Sequence, residues 1–313
     1  MLDNKEMRQV YSETMVELAK RNKKIVLLDA DLMGSMGTKK FKEAYPKRHI
    51  NVGIAEANMI GVAAGLASTG KLPFVHSFTP FVTRRCYDQI AISVAYAKQN
   101  VKMVGADPGI MAQNNGGTHM SLEDVGIMRA MPDMAIFEPV DATMLKALLP
   151  QVVKYDKPMY IRLFRKKAET VFDENTKFHL FKAIDIKKGT DVTIVASGIM
   201  VSRAVEASLI LASQGLSVGV LSVHTIKPID EDAIIRAAKR SGAIVTAENH
   251  NIIGGLGSAV AEVISEHCPV PLRRVGVKDR FGEVGNEKYL SEALGLTVDD
   301  IVKAATEVVA LKK

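Results

Sequence analysis

Asn51-Val52-Gly53-Ile54-Ala55-Glu56-Ala57-Asn58-Met59-Ile60-Gly61-Val62-Ala63-Ala64-Gly65 is a run of apolar and small residues holding one carboxylate, Glu56. The spacing predicts a helix over Glu56–Thr69, on which Gly61 and Gly65 would let another backbone approach closely. A carboxylate buried in such a run is expected to have a raised pKa and to sit protonated near neutral pH. The competing account is that Glu56 stands at a helix N-terminus, where negative charge is favoured. On both sides of the run, short β-rich stretches alternate with helical ones. Ile25–Leu28, Pro73–Ser77, Val101–Val104, Met134–Phe137 and Met159–Leu163 read as strands. That alternation is the pattern of an α/β domain with a largely parallel sheet.

Further outward, Asp3–Lys20 reads as a helix with Met7, Val10, Thr14 and Leu18 on one stripe, and with Asp3 and Glu6 at capping-box spacing. At the other end, KAETVFDENTKFHLFK (167–182) breaks the apolar rhythm and reads as a linker. The rhythm then restarts, with strands at Val192–Ala196, Val218–Val223, Ala243–Ala247 and Leu272–Val277 and a last helix capped by Thr297 and Asp300. The expectation is therefore two successive α/β domains, residues 1–166 and 183–313, with no internal repeat.

Composition narrows the class. The 313 residues are 47% apolar and 24% charged, as in ordinary globular proteins. No apolar run approaches the ~20 residues of a membrane span, and MLDNKEMRQVYSE lacks a signal-peptide pattern. Cys86 and Cys268 stand far apart, in no metal-like spacing, which suits reduced thiols in the cytoplasm. A net charge of +6, spread over scattered lysines and arginines, reads as solvated surface and not as a nucleic-acid footprint.

Two further segments carry chemistry. Leu72–Gln89 (LPFVHSFTPFVTRRCYDQ) places Phe78 and Phe81 just past a strand, where they either enter the core or wall a flat pocket. Val104–Asp124 (VGADPGIMAQNNGGTHMSLED) is a long glycine-containing loop with His119, a common binding element, although a lone loop histidine is more often solvated.

In order and spacing, GIAE, SFTPF, GGTH and IRLFR, followed by DVTIVASG, VHTIKPID and AENHNIIGGLGSAV, resemble the transketolase family over nearly the whole chain. The resemblance implies a pyrimidine-binding doubly wound sheet followed by a transketolase C-terminal-like domain, with thiamine diphosphate as cofactor. It implies that Glu56 hydrogen-bonds the cofactor's aminopyrimidine and assists proton removal. Phe78 and Phe81 would then line that ring, and Asp31 would lie near the thiazolium. By the same carry-over, Arg8, Ser35 and Arg165 hold a substrate phosphate, and His119 contacts ketose hydroxyls. Two departures touch specificity: Asn115 stands where the family usually has aspartate, and Asp107 where its transketolases usually have histidine. An aspartate there looks more like 1-deoxyxylulose-5-phosphate synthase. The Gly-Asp-Gly motif through which the family holds the diphosphate and its Mg2+ or Ca2+ occurs nowhere in these residues.

The expectation is a C-terminal transketolase subunit for sugar phosphates. Its partner would be an N-terminal, diphosphate-binding subunit, and the pair would self-associate about a two-fold axis. The alternatives are a specialised or deoxyxylulose-type enzyme, the β subunit of a 2-oxoacid dehydrogenase first component, and a non-catalytic module that kept the fold.

Overall fold

The computed structural model describes residues 2–312. The first sheet is built from β1 (Ile25–Asp29), β2 (His49–Asn51), β3 (Leu72–Phe78), β4 (Lys102–Ala106), β5 (Ala135–Phe137) and β6 (Met159–Leu163). The second begins with β7 (Ile184–Lys187), β8 (Val192–Ala196) and β9 (Val218–Ser222). After β10 (Thr225–Lys227) it resumes with β11 (Ile244–Asn251) and β12 (Leu272–Val277). Strand β10 crosses back and pairs antiparallel with β5, giving a seven-stranded sheet of order β10-β5-β6-β4-β3-β1-β2 beside a five-stranded sheet of order β12-β11-β8-β9-β7. Apart from β10 and the antiparallel edge strand β7, the pairings are parallel.

Strands β1, β4, β6, β8 and β9 are buried at every residue. Helices cover both faces, which is why these strands read as continuous apolar runs and not as alternating ones. The strands missed in the sequence, β2, β7 and β10, are short or half-polar, and only pairing makes them strands. One apolar cluster runs from Met7, Leu27 and Phe137 through Phe164 and Phe172 to Ile194, Val245 and Ile301, so the two sheets share a core. The stretch 167–182 is pinned within this arrangement. Val171 and Phe172 donate backbone N–H bonds to Asp141, Gln151 brackets Phe178 and Leu180, and Phe172 and Leu180 are buried.

The first helix differs from its expectation. It runs over Met7–Arg21, and Glu6 at its N-cap makes no side-chain cap. Asp3 instead accepts from the Ala142 backbone N–H and the Thr170 hydroxyl, so its charge ties the chain start to 142 and 170. The buried face is Met7, Tyr11 and Met15, with Val10 and Ala19 beside it, while Thr14 and Leu18 are only partly buried. The rotation has a polar cause: buried Tyr11 donates its hydroxyl to His76 Nε2 at 2.8 Å. The last helix, Val298–Val309, does begin in a full Thr297–Asp300 capping box.

Candidate active site

The C-terminal ends of β3, β4 and β6 lie level, because Phe78 pairs with Ala106 and Ala106 with Leu163, and β1 ends beside them with Asp29 opposite His76. In open parallel sheets this edge is where ligands bind. Residues following each strand there include Asp31, Phe81, Asp107 and Arg165, and the helix Glu56–Ser68 starts beside them.

Glu56 opens that helix and is 3% exposed. It is not the isolated carboxylate its apolar neighbours suggest, because long-range polar partners reach it. Its Oε1 accepts from Ser77 Oγ at 3.1 Å, and its Oε2 accepts from Arg85 Nη1 at 2.9 Å. Both partners were missed in the sequence, although Arg84-Arg85 beside the two phenylalanines is the signal that could have found one of them. The Arg85 guanidinium lies over the Phe81 ring, 3.9 Å from its centroid. Phe81 in turn meets Phe78 and His119 edge-on, at 6.2 and 5.0 Å between centroids, and Phe78 meets His119 at 5.8 Å. Glu56, Phe78, Phe81 and His119 are thus linked by contact. His119 Nδ1 is 2.9 Å from the Thr118 hydroxyl.

A second group gathers Arg8, Ser35 and Arg165. Both guanidiniums donate to the Ser35 carbonyl, Arg8 at 3.1 Å and Arg165 at 3.2 Å. Each also carries a carboxylate: Arg8 Nε donates to Glu6 at 2.7 Å, and Arg165 Nε donates to Asp107 at 2.7 Å. Arg165 lies 4.9 Å from the Phe78 ring centroid, which joins this group to the first. It is the Ser35 backbone oxygen, not its hydroxyl, that takes part.

The loop carrying Asp31 and Ser35 is anchored at both ends. Asp29, fully buried, accepts from Thr38 Oγ1 at 2.9 Å and pairs with His49 Nε2. Burial alone would raise its pKa, but the hydrogen bond from His49 and the nearby imidazoles hold it below the usual carboxylate value. Asp31 has φ +59°, a left-handed conformation that a short polar residue tolerates. It is fixed by Asn51, whose side chain accepts from the Asp31 N–H at 3.0 Å and donates to its carboxylate at 3.1 Å. Asn115 is exposed at the end of the 3-10 segment Gly109–Asn115. The next turn closes on the second unit, since a Cβ at Gly117 would fall 2.5 Å from the Gly282 carbonyl oxygen. A cleft of about 940 Å³ beside the helix Met7–Arg21 shares none of these residues.

The chain matches the family model of the transketolase pyrimidine binding domain over residues 3–170 and that of the transketolase C-terminal domain over residues 182–301. It belongs to the transketolase family. Among its relatives, the 6-deoxy-6-sulfo-D-fructose transketolase subunit SqwH of Clostridium sp. (strain MSTE9) is 56% identical over 98% of this chain and 95% of its own length. A putative transketolase C-terminal section from Methanocaldococcus jannaschii is 41% identical over 97% of this chain and 96% of its own. Among solved structures, a split gene transketolase described as an inactive beta4 tetramer superposes with a TM-score of 0.93 at 42% identity, over 99% of this chain and all of that one. This transketolase-family chain is therefore of the same extent as subunits of split enzymes, with the α/β architecture read from its sequence. Among the described residues no helix is long and apolar enough to cross a membrane.

Proposed function

We propose that this chain is the pyrimidine-binding subunit of a two-subunit transketolase. It would move a two-carbon ketol unit between anionic sugars, with thiamine diphosphate held between it and an N-terminal, diphosphate-binding subunit. The observation that carries this is the buried Glu56 carboxylate set beside the Phe81 ring. The fit to the cofactor can be judged from Arg85, whose planar, nitrogen-bearing group already lies on Phe81 and bonds Glu56. A planar aminopyrimidine makes the same two demands.

Thiamine diphosphate, when bound, supplies the carbon nucleophile for ketose cleavage. Glu56 would hold a proton at the pyrimidine ring nitrogen, the kind of role worth about 10²–10⁴-fold in rate. Phe81 and Phe78 would flank that ring, and Asp31 would face the thiazolium side. His119, oriented by Thr118 and the two phenylalanines, would bond the ketose hydroxyls. Arg8 and Arg165, with Ser35 between them, would take the terminal phosphate by charge-assisted bonds. Ligands for Mg2+ or Ca2+ are assigned mainly to the partner subunit.

The test is reconstitution. The chain mixed with an N-terminal transketolase subunit should transfer ketol units from a ketose phosphate to an aldose phosphate, and the chain alone should not. Turnover by the chain alone, with micromolar cofactor affinity, would refute the divided site.

A second reading concerns the sugar's tail. A phosphate monoester carries nearly two negative charges at neutral pH, whereas a sulfonate carries one. Both arginines of the proposed cradle already hold a carboxylate, Glu6 and Asp107, which favours the singly charged tail. The relative at 56% identity is named for a 6-sulfo sugar. The reconstituted enzyme should then show a higher kcat/KM for a 6-sulfo ketohexose than for its 6-phosphate counterpart. A tenfold preference for the phosphate would dismiss the sulfonate.

A further inference from the structure

Arg85 is placed unlike its neighbour. Arg84 is held by Glu123 at 2.8 Å and by the Thr118 carbonyl, and meets neither Glu56 nor Phe81. Arg85 turns inward from the 3-10 turn Arg84–Cys86, whose last residue is buried and donates its thiol to the Phe81 carbonyl. The turn therefore fixes the root of Arg85 against Phe81. Its guanidinium covers one face of that ring, 3.9 Å from the centroid, and fills Oε2 of Glu56 at 2.9 Å. The other carboxylate oxygen is taken by Ser77. Each oxygen of the buried Glu56 carboxylate thus already has a partner, and Arg85 also covers the Phe81 face beside it.

The side chain is nonetheless 46% exposed. It is held by one ion pair, to a buried carboxylate, and by one cation–π contact on a half-exposed face. Among the described residues nothing else bonds the guanidinium. It occupies a site for a flat, nitrogen-rich ring, yet solvent access leaves it free to depart.

We propose that Arg85 is a placeholder. In the free subunit it closes the pyrimidine half-site by satisfying Glu56 and Phe81 together, and the incoming aminopyrimidine displaces it toward solvent. Arg85 thereby keeps a buried carboxylate from standing unpaired before the cofactor arrives, at the cost of some cofactor affinity. This rests on the proposed roles of Glu56 and Phe81.

The experiment is a calorimetric titration of thiamine diphosphate, with magnesium, into the reconstituted two-subunit enzyme. Arg85→Ala should tighten binding by about three- to tenfold, because one half-exposed ion pair and one cation–π contact no longer have to be broken. Arg85→Lys, which keeps the charge but not the planar stack, should fall between the variant and the parent. Thermal melting of each variant establishes that it is folded, and Arg85→Lys carries the test if Arg85→Ala is not. Unchanged or weaker cofactor binding in a folded Arg85 variant overturns the proposal. Phe81→Ala and Glu56→Gln in the same titration separate the two ideas. If both weaken binding and the Arg85 variants do not tighten it, only the placeholder fails. If none of the substitutions moves the affinity, the half-site itself is misassigned.

Discussion

Arg8 and Arg165, from the first helix and from the end of β6, donate to the same acceptor, the Ser35 carbonyl oxygen, at 3.1 and 3.2 Å. Two cations converge on one neutral oxygen only where something else answers their charge. Here Glu6 and Asp107 do so, one carboxylate to each guanidinium; in the proposed function the remaining guanidinium N–H groups bind the substrate's anionic tail.

Arg165→Ala should therefore raise KM for substrates with an anionic tail by about ten- to a hundredfold, the worth of one charge-assisted contact. Neutral analogues of the same sugars should be affected far less. Steady-state kinetics of the reconstituted enzyme on such a pair measures the difference, and equal losses for both would make Arg165 a structural residue.

Glu56→Gln is nearly isosteric and keeps an acceptor for Ser77, so the fold should survive. Turnover at saturating cofactor should fall by about 10²-fold or more, the lower part of the range for lost proton-transfer catalysis. Near-normal turnover would remove Glu56 from the chemistry.

Arg162, 1% exposed on β6, joins the two units. It bonds Asp124 at 2.6 and 3.2 Å, Glu138 at 2.6 Å, and the Asn249 carbonyl of the second sheet at 2.8 Å. Arg162→Met would leave Asp124 and Glu138 buried without their cation, a loss of about 3–5 kcal/mol. Urea unfolding followed by circular dichroism measures it. A loss under about 1 kcal/mol would mean that water or a rearranged partner compensates.

Stability should fall on mild acidification. Burial holds the His76, His224 and His250 rings below their ordinary pKa of 6.5. The unfolded chain then binds protons that the folded one does not, so stability drops as pH falls below that value. Glu248 works the other way: burial pushes its carboxyl up to about 7, so the folded state takes up its proton first. Three rings outweigh one carboxyl, and the melting midpoint should decline between about pH 7 and pH 5. A midpoint that rises over this interval would show that Glu248 outweighs the rings or that the rings are charged in the native state.

Much of the architecture was present in the residues alone. Strands β6 and β8 were readable to the residue, and β1, β3 and β4 to within two, because strands covered on both faces are largely apolar throughout; β12 was readable to the residue although it is an edge strand with Arg273 and Arg274 exposed. The Thr297 cap was equally local, since two residues three positions apart, Thr297 and Asp300, set it. Through the family resemblance the sequence also offered Glu56, Phe78, Phe81 and Asp31 as cofactor residues, and Arg8, Ser35, Asn115, His119 and Arg165 as substrate residues. Tertiary structure alone decided what meets them. The parallel register brings Asp107 to Arg165, the turn after Phe81 brings Arg85 onto Glu56, and Tyr11 rotates the first helix toward His76. Side-chain pairs so far apart along the chain leave no periodic trace. Electrostatics and burial act through space, so a carboxylate that looks solitary among alanines and glycines acquires its partners only when the sheet folds.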